Sequence, residues 1–124
     1  MNAQSLLTLP PKELSIRLDE EFDVTLPDAI ISIEDMEAAS KLLIKLSGSY
    51  SFLTSLLSFA KIAVRETKRS GDKVAWEDMV DRKDAIENKT NAVKQNYSAV
   101  SRAVTIHIEN NAELRMNTGG YIRR

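Results

Sequence analysis

The sequence predicts a mainly α protein built on a long antiparallel hairpin of two helices, preceded by an N-terminal arm that is extended or forms a small β-hairpin. All three prolines fall at or before Pro27 and all four glycines at or after Gly48, so the chain divides near residue 30 into an irregular arm and a helical body. Two long stretches of the body also carry apolar residues at alternating intervals of three and four, the spacing of a coiled-coil seam. The expected organisation is an arm over 1–31, a helical hairpin over 32–118 and a flexible tail over 119–124.

Composition narrows the class of protein. A hydrophobic fraction of 43% and a charged fraction of 28% are ordinary for a soluble protein. The net charge of −1 argues against a generally basic nucleic-acid coat but allows a local basic patch. The start of the sequence lacks the pattern of a signal peptide, and we expect no segment to approach the roughly 20 apolar residues that span a bilayer. We therefore expect a cytoplasmic protein without a membrane role.

The arm carries alternating apolar residues. They are Leu14, Ile16, Leu18, Phe22, Val24 and Leu26. This period of two is typical of strands and favours a small β-hairpin that turns at Asp19 to Glu21. The alternative is a short helix that begins after Pro11. Because a two-stranded ribbon is marginally stable alone, it would lie on the helices or pair with a neighbouring subunit.

The first long helix is predicted near 33–69, with Ser32 as its N-cap and Asp35 three residues on. Its seam positions are Met36, Ala39, Leu43, Leu46, Tyr50, Leu53, Leu57, Ala60 and Val64. Gly48 is expected to lie inside the helix, where it would allow another helix to approach closely or would mark a kink.

Gly71 and Asp72 are predicted to end this helix and to cap the next one, near 73–116. The second seam runs through Trp76, Met79, Lys83, Ile86, Thr90, Val93, Tyr97, Val100, Val104, His107, Asn111 and Leu114. Polar residues at Thr90 and Asn111 would fix the register of the seam. The helix is expected to end before Asn117.

The apolar face of the first helix is too wide for one partner helix to cover. The residues outside the seam that need a cover are Leu42, Phe52, Leu56 and Phe59. Either the arm or other copies of the chain could supply it, and the shortness of the arm favours a homo-oligomer.

A basic cluster, called here the basic tip, lies at the hairpin turn. It consists of Lys61, Arg65, Lys68, Arg69 and Lys73. One interpretation is contact with nucleic-acid phosphates; the other is pairing with the acidic residues between Glu77 and Glu87, and the cancelling charges favour the second. Arg123 and Arg124, beside Tyr121 after a Gly-Gly pair, are further candidates for nucleic-acid contact; the same tail is equally an exposed peptide that docks on a partner protein, or a frayed end.

Catalytic motifs are absent from the sequence. There is no cysteine, and a metal site or a catalytic triad needs more than the single His107. No phosphate-binding glycine loop or nucleophile elbow occurs. We therefore expect no enzyme activity, no cofactor, no metal and no small-molecule substrate.

The segments "VRETKRSGDK" and "MVDRKDAIENKTNAVKQNYSAVSRAVTIHIENNAELRM" resemble the UvsY family of phage recombination mediators. The resemblance implies a ring-forming protein of a bacterial or phage-infected cell that binds single-stranded DNA and helps to load a recombinase. The basic positions that match this role are Lys61, Arg65, Lys68 and Arg69. The alternative hypothesis is a helical assembly or adaptor protein, such as a virion component or an inhibitor of a host enzyme, with no nucleic-acid role.

Overall fold

The computed structural model describes the backbone of residues 3–23 and 36–122, and the side chains of 3–23 and 36–110. Within these ranges the chain forms four α-helices and no strand: α1 (Ala3–Leu7), α2 (Pro11–Glu21), α3 (Met36–Ser70) and α4 (Lys73–Ile122). The two long helices pack against each other as a hairpin. This confirms the mainly α class and the helix pair at its centre.

The predicted seam of α3 is confirmed. Its positions alternate along the helix between buried residues (Ala39, Leu46, Leu53, Ala60) and half-buried ones (Met36, Leu43, Tyr50, Leu57, Val64). Gly48 lies inside α3 as expected, but a Cβ placed there would meet no atom within 4 Å, so no described part of this chain approaches it closely. The predicted cap at Ser32 and Asp35 lies outside the described residues.

The turn between α3 and α4 uses both predicted residues. Gly71 has a φ of +79°, a left-handed conformation that side chains disfavour, and its N–H donates to the Lys68 carbonyl oxygen at 3.3 Å. Asp72 Oδ1 accepts a hydrogen bond from the Ala75 N–H at 3.1 Å. A left-handed glycine followed by an N-cap aspartate thus reverses the chain within two residues.

The seam of α4 is confirmed most clearly at its centre, where Ile86, Thr90, Val93 and Val100 are buried. The Thr90 hydroxyl donates to the Ile86 carbonyl oxygen of its own helix at 2.7 Å, so it is satisfied without a partner on α3. Tyr97 departs from the pattern, since 39% of its surface is exposed. The side chains of Asn111 and Leu114 lie outside the described residues.

The predicted end of the second helix is wrong. The backbone of α4 remains helical through Gly119 and Gly120 to Ile122, past the expected end before Asn117. Glycine lowers helix propensity by about 1 kcal/mol, but unlike proline it keeps its N–H and can adopt helical angles. Arg123 and Arg124 lie outside the described residues.

The strand interpretation of the arm is wrong where the structure describes it, because 11–21 form α2. Pro10 holds an extended N-cap conformation and Pro11 occupies the first turn, where its missing N–H costs nothing. The helix buries Leu14 and Leu18, four residues apart, and leaves Ile16 58% exposed. The rest of the proposed β-hairpin, Val24 and Leu26, lies outside the described residues.

The described part of the arm, residues 3–23, folds back onto the hairpin. Leu6, Leu14 and Leu18 are fully buried and join one apolar core with α3 and α4. Phe22, just after α2, stacks on Phe52 of α3 with ring centroids 5.8 Å apart. The arm therefore supplies part of the cover that the wide face of α3 requires.

Apolar composition distinguishes α3 from the other helices. By length and composition alone it is one helix that could cross a membrane, so the expectation that no segment approaches this size is wrong. Core helices of soluble proteins pass the same test, and α3 packs its seam on α4. Only 17% of that apolar stretch is buried, which leaves apolar surface on α3 uncovered by the described chain.

Candidate nucleic-acid interface

The basic tip is exposed along its whole length. Lys61, Arg65 and Lys68 lie at intervals of four and three on the last turns of α3, so they share one face of that helix. The rise of the helix places Lys61 and Lys68 about 10 Å apart along its axis. Arg69 lies beside this line, and Lys73 opens α4 across the turn. All five side chains are exposed.

The predicted pairing between the basic tip and the acidic residues of α4 forms in the described chain at one residue of the tip, Lys73, and not at the other four. Lys73 lies 3.9 Å from Glu77, one turn along its own helix. Among the ion pairs of the described residues, none within 4.0 Å involves Lys61, Arg65, Lys68 or Arg69. These four charges are therefore available to an anionic partner.

Three of the acidic residues at the start of α4, Glu77, Asp84 and Glu87, form ion pairs within that helix. Lys83 Nζ lies 3.0 Å from Asp84 Oδ1 and 3.7 Å from Glu87 Oε2. The hydrogen bond to Asp84 raises the pKa of Lys83 above its ordinary value, against a smaller opposing effect of burial. Lys83 thus pairs with Asp84 and Glu87, two carboxylates that the sequence analysis considered as partners of the basic tip.

The four candidate oligomerisation residues have different surroundings. Leu56 is fully buried within the single chain, Leu42 and Phe52 are half-buried against its core, and Phe52 stacks on Phe22. Phe59 alone remains 53% exposed. Ile62, three residues further along α3, is 47% exposed and extends this apolar surface towards the basic tip.

Trp76 adjoins the basic tip, although the sequence assigned it only a seam position. It lines a small depression at the hairpin turn together with Lys68 and Lys73. The signal in the sequence was the short turn, which brings the first residues of α4 beside the last turn of α3. A seam position near a hairpin end is covered by fewer residues than one at its centre, and Trp76 is accordingly only half-buried.

No group of three or more His, Cys, Asp or Glu side chains that could hold a metal ion occurs among the described residues. His107 is half-buried at its seam position.

No protein-family model matches the chain, and the searches of curated proteins and of solved structures give no significant match.

Proposed function

We propose that this chain is a non-enzymatic accessory protein whose basic tip binds the phosphates of single-stranded DNA, in the manner of a recombination mediator. One observation carries the proposal: Lys61, Arg65, Lys68 and Arg69 are exposed at one end of the hairpin and have no carboxylate within 4.0 Å in the described chain. Cations that are already paired lose part of their attraction for phosphate. Unpaired cations on a helix keep their full attraction for phosphate.

The geometry favours contact with the nucleic-acid backbone rather than recognition of sequence. Lysine and arginine bind phosphates through charge, and the counterions released on binding supply most of the affinity. The choice of single-stranded DNA, and of a recombinase as a further partner, comes from the resemblance to the UvsY family.

Self-association would strengthen such binding. A basic tip of four or five charges binds weakly alone, whereas several copies on one assembly act on the same strand and multiply the affinity. Phe59 and Ile62 provide exposed apolar surface on which a second copy could pack. The proposal therefore includes a homo-oligomer, with the basic tip repeated in each subunit.

The test is fluorescence anisotropy with a labelled single-stranded oligonucleotide at several salt concentrations. We expect the wild-type affinity to fall steeply between about 50 and 200 mM salt. Arg65→Ala with Arg69→Ala should weaken binding to all sequences alike and flatten the slope of log K against log salt by about 0.7 for each lost contact. The control is Lys41→Ala with Lys45→Ala, which removes the same charge from the other half of α3.

Two results would contradict the proposal. A wild-type protein that leaves the oligonucleotide unbound at low salt would end it. Equal losses in the Arg65/Arg69 and Lys41/Lys45 variants would show that net charge, and not the basic tip, governs binding.

The second candidate is a helical assembly or adaptor protein with no nucleic-acid role. The exposed apolar side chains of α3 favour it: Ile44 is 74% exposed, Phe59 53% and Ile62 47%. Surfaces of this kind mark contacts between proteins when they are contiguous. Absence of DNA binding, together with loss of assembly on replacing Phe59, would support this candidate over the first.

A further inference from the structure

The hairpin turn encloses a small depression that the basic tip borders. Its volume is about 210 Å³, it opens to solvent, and its lining is mostly carbon. The residues that line it are Thr67, Lys68, Gly71, Asp72, Lys73 and Trp76. It is thus an apolar surface placed between two lysines, one from each helix.

Local hydrogen bonds hold the frame of this depression. The backbone N–H of Trp76 donates to the Asp72 carbonyl oxygen at 3.0 Å, and the backbone N–H of Gly71 donates to the Lys68 carbonyl oxygen at 3.3 Å. Asp72 also accepts the Ala75 N–H through its side chain at 3.1 Å. A Cβ placed on Gly71 would meet no atom within 4 Å, so the space beside the turn is open.

Trp76 presents carbon rather than its polar edge. Its indole Nε1 is buried and has no hydrogen-bond acceptor in the described part of the chain, although the residue as a whole is half-buried. The exposed surface of the residue therefore excludes the indole nitrogen. A partner at this surface would meet it by stacking or apolar contact, without a hydrogen bond to the ring.

We infer that this depression takes one base of a bound single strand, which stacks on Trp76 while Lys68, which has no ion pair within 4.0 Å in the described chain, contacts a flanking phosphate. Lys73 borders the other side of the depression and lies 3.9 Å from Glu77. The inference rests on the proposed function and adds a second mode of contact to it. The arrangement of apolar and charged groups indicates what binds here. The apolar surface of the depression suits the flat face of a base, and the surrounding cations of the basic tip suit the phosphates on either side of that base. Asp72 lies at the same rim, where its charge opposes a phosphate in the depression itself but not a neutral base.

Stacking of this kind would have little sequence preference, since every base has an aromatic face. It would also distinguish single strands from duplexes, in which both faces of a base are already stacked. The basic tip alone does not make that distinction.

The test compares two oligonucleotides of equal length, one with normal bases and one with abasic sites throughout. Both carry the same phosphates, so contact with the basic tip alone predicts equal affinity. We expect wild-type protein to bind the normal strand at least about fivefold more tightly, as for one stacked base. Trp76 is the only tryptophan in the chain, so quenching of its fluorescence by the normal strand alone is a direct second measurement.

Variants locate the effect. Trp76→Leu should remove the difference between the two strands, and Trp76→Phe should keep part of it. Tyr97→Leu is the control, because Tyr97 is a partly exposed aromatic about 30 Å further along α4 and its loss should leave the difference intact. Circular dichroism of each variant checks its folding, and the comparison on wild-type protein remains decisive if Trp76→Leu does not fold.

The outcomes separate this inference from the proposed function. If wild-type protein binds both strands equally and its tryptophan fluorescence does not change, stacking is wrong and phosphate binding by the basic tip stands. If neither strand binds at low salt, both are wrong. If a folded Trp76→Leu variant still binds the normal strand more tightly than the abasic strand, a residue other than Trp76 contacts the bases and this inference is wrong.

Discussion

Arg82 of α4 donates a hydrogen bond from Nε to the backbone carbonyl oxygen of Leu9, between α1 and α2, at 2.7 Å. Further along α4, Lys89 Nζ lies 2.6 Å from Asp19 Oδ1 of α2. Arg82 is half-buried and Lys89 has 12% of its side chain exposed, so water competes only partly for these contacts. Together they fix both ends of α2 on the hairpin, so the described part of the arm belongs to the folded body.

The contact between Arg82 and Leu9 predicts a specific defect. Arg82→Met keeps the aliphatic length but leaves the Leu9 carbonyl oxygen without its donor. A hydrogen bond to a charged group contributes about 1.5–3 kcal/mol, so we expect a loss of this size in the free energy of unfolding. Hydrogen exchange of the α2 amides should accelerate more than exchange at the centre of α3, since the arm is released first.

Arg102→Met is the control for this experiment, because Arg102 is exposed on the same helix. It should change the free energy of unfolding by less than about 0.5 kcal/mol. Equal effects of the two variants, or no change in exchange at α2, would show that Arg82 does not hold the arm.

Leu56 and Phe59, three residues apart on α3, predict opposite phenotypes. Leu56 is fully buried in the single chain, so Leu56→Ala should cost about 2–5 kcal/mol of stability through the cavity that it leaves. Phe59→Ser removes an exposed ring and should preserve helix content while lowering the mass of the assembly. Analytical ultracentrifugation with circular dichroism separates the two effects, and a wild-type chain that sediments as a monomer would refute self-association.

Gly48 and Gly71 form a second contrasting pair, because neither would clash with an added Cβ. Gly48 is helical and exposed, so Gly48→Ala should stabilise the chain by up to about 1 kcal/mol. Gly71 has a φ of +79°, so Gly71→Ala should destabilise it by about 1–2 kcal/mol through backbone conformation alone. Urea unfolding measures both, and changes of the same sign would contradict the conformational argument.

Gly48→Ala also tests the sequence hypothesis of a close helix approach. Within the described chain the surroundings of Gly48 are open, so only another copy or another protein could pack there. If Gly48→Ala lowers the mass of the assembly while stabilising the chain, that packing occurs. If the mass is unchanged, Gly48 lies outside the interface.

The helical hairpin could be predicted from the sequence because its two seams are long and regular, and because glycine and aspartate mark the turn. The arm could not be assigned in the same way. Leu14, Ile16 and Leu18 fit a period of two, yet Leu14 and Leu18 are equally the i and i+4 positions of a helix. Pro11 at the first turn favoured the helix, and only the packing of Leu14 and Leu18 into a shared core decides between the two.

The candidate site, too, could be predicted from the sequence only in part. The positions of Lys61, Arg65 and Lys68 on one face follow from helical spacing alone. Their lack of ion-pair partners could not be predicted from the sequence, because the opposite net charges of the basic tip and the start of α4 suggested that the two pair. Pairing depends on which rotamers and faces meet, and Lys83 illustrates this by taking Asp84 and Glu87 from within its own helix.

Lys83 predicts a dependence of stability on pH. Its hydrogen bond to Asp84 raises its pKa in the folded chain, so the charged form is favoured by folding. The resulting stabilisation is fully present below the pKa of an unfolded lysine, about 10.4, and is lost as pH rises through the higher pKa of the folded state. Lys83→Met should therefore be less stable than wild type at pH 8, and the difference should shrink at strongly alkaline pH.

Urea midpoints at a series of alkaline pH values measure this difference directly. Comparison with Lys94→Met removes the general effect of losing one lysine, because Lys94 is exposed on the same helix and forms no ion pair within 4.0 Å in the described chain. Its difference from wild type should stay small at every pH. A Lys83→Met difference that stays constant or grows with pH would contradict the role of charged Lys83, and would assign the effect to packing of its aliphatic stem.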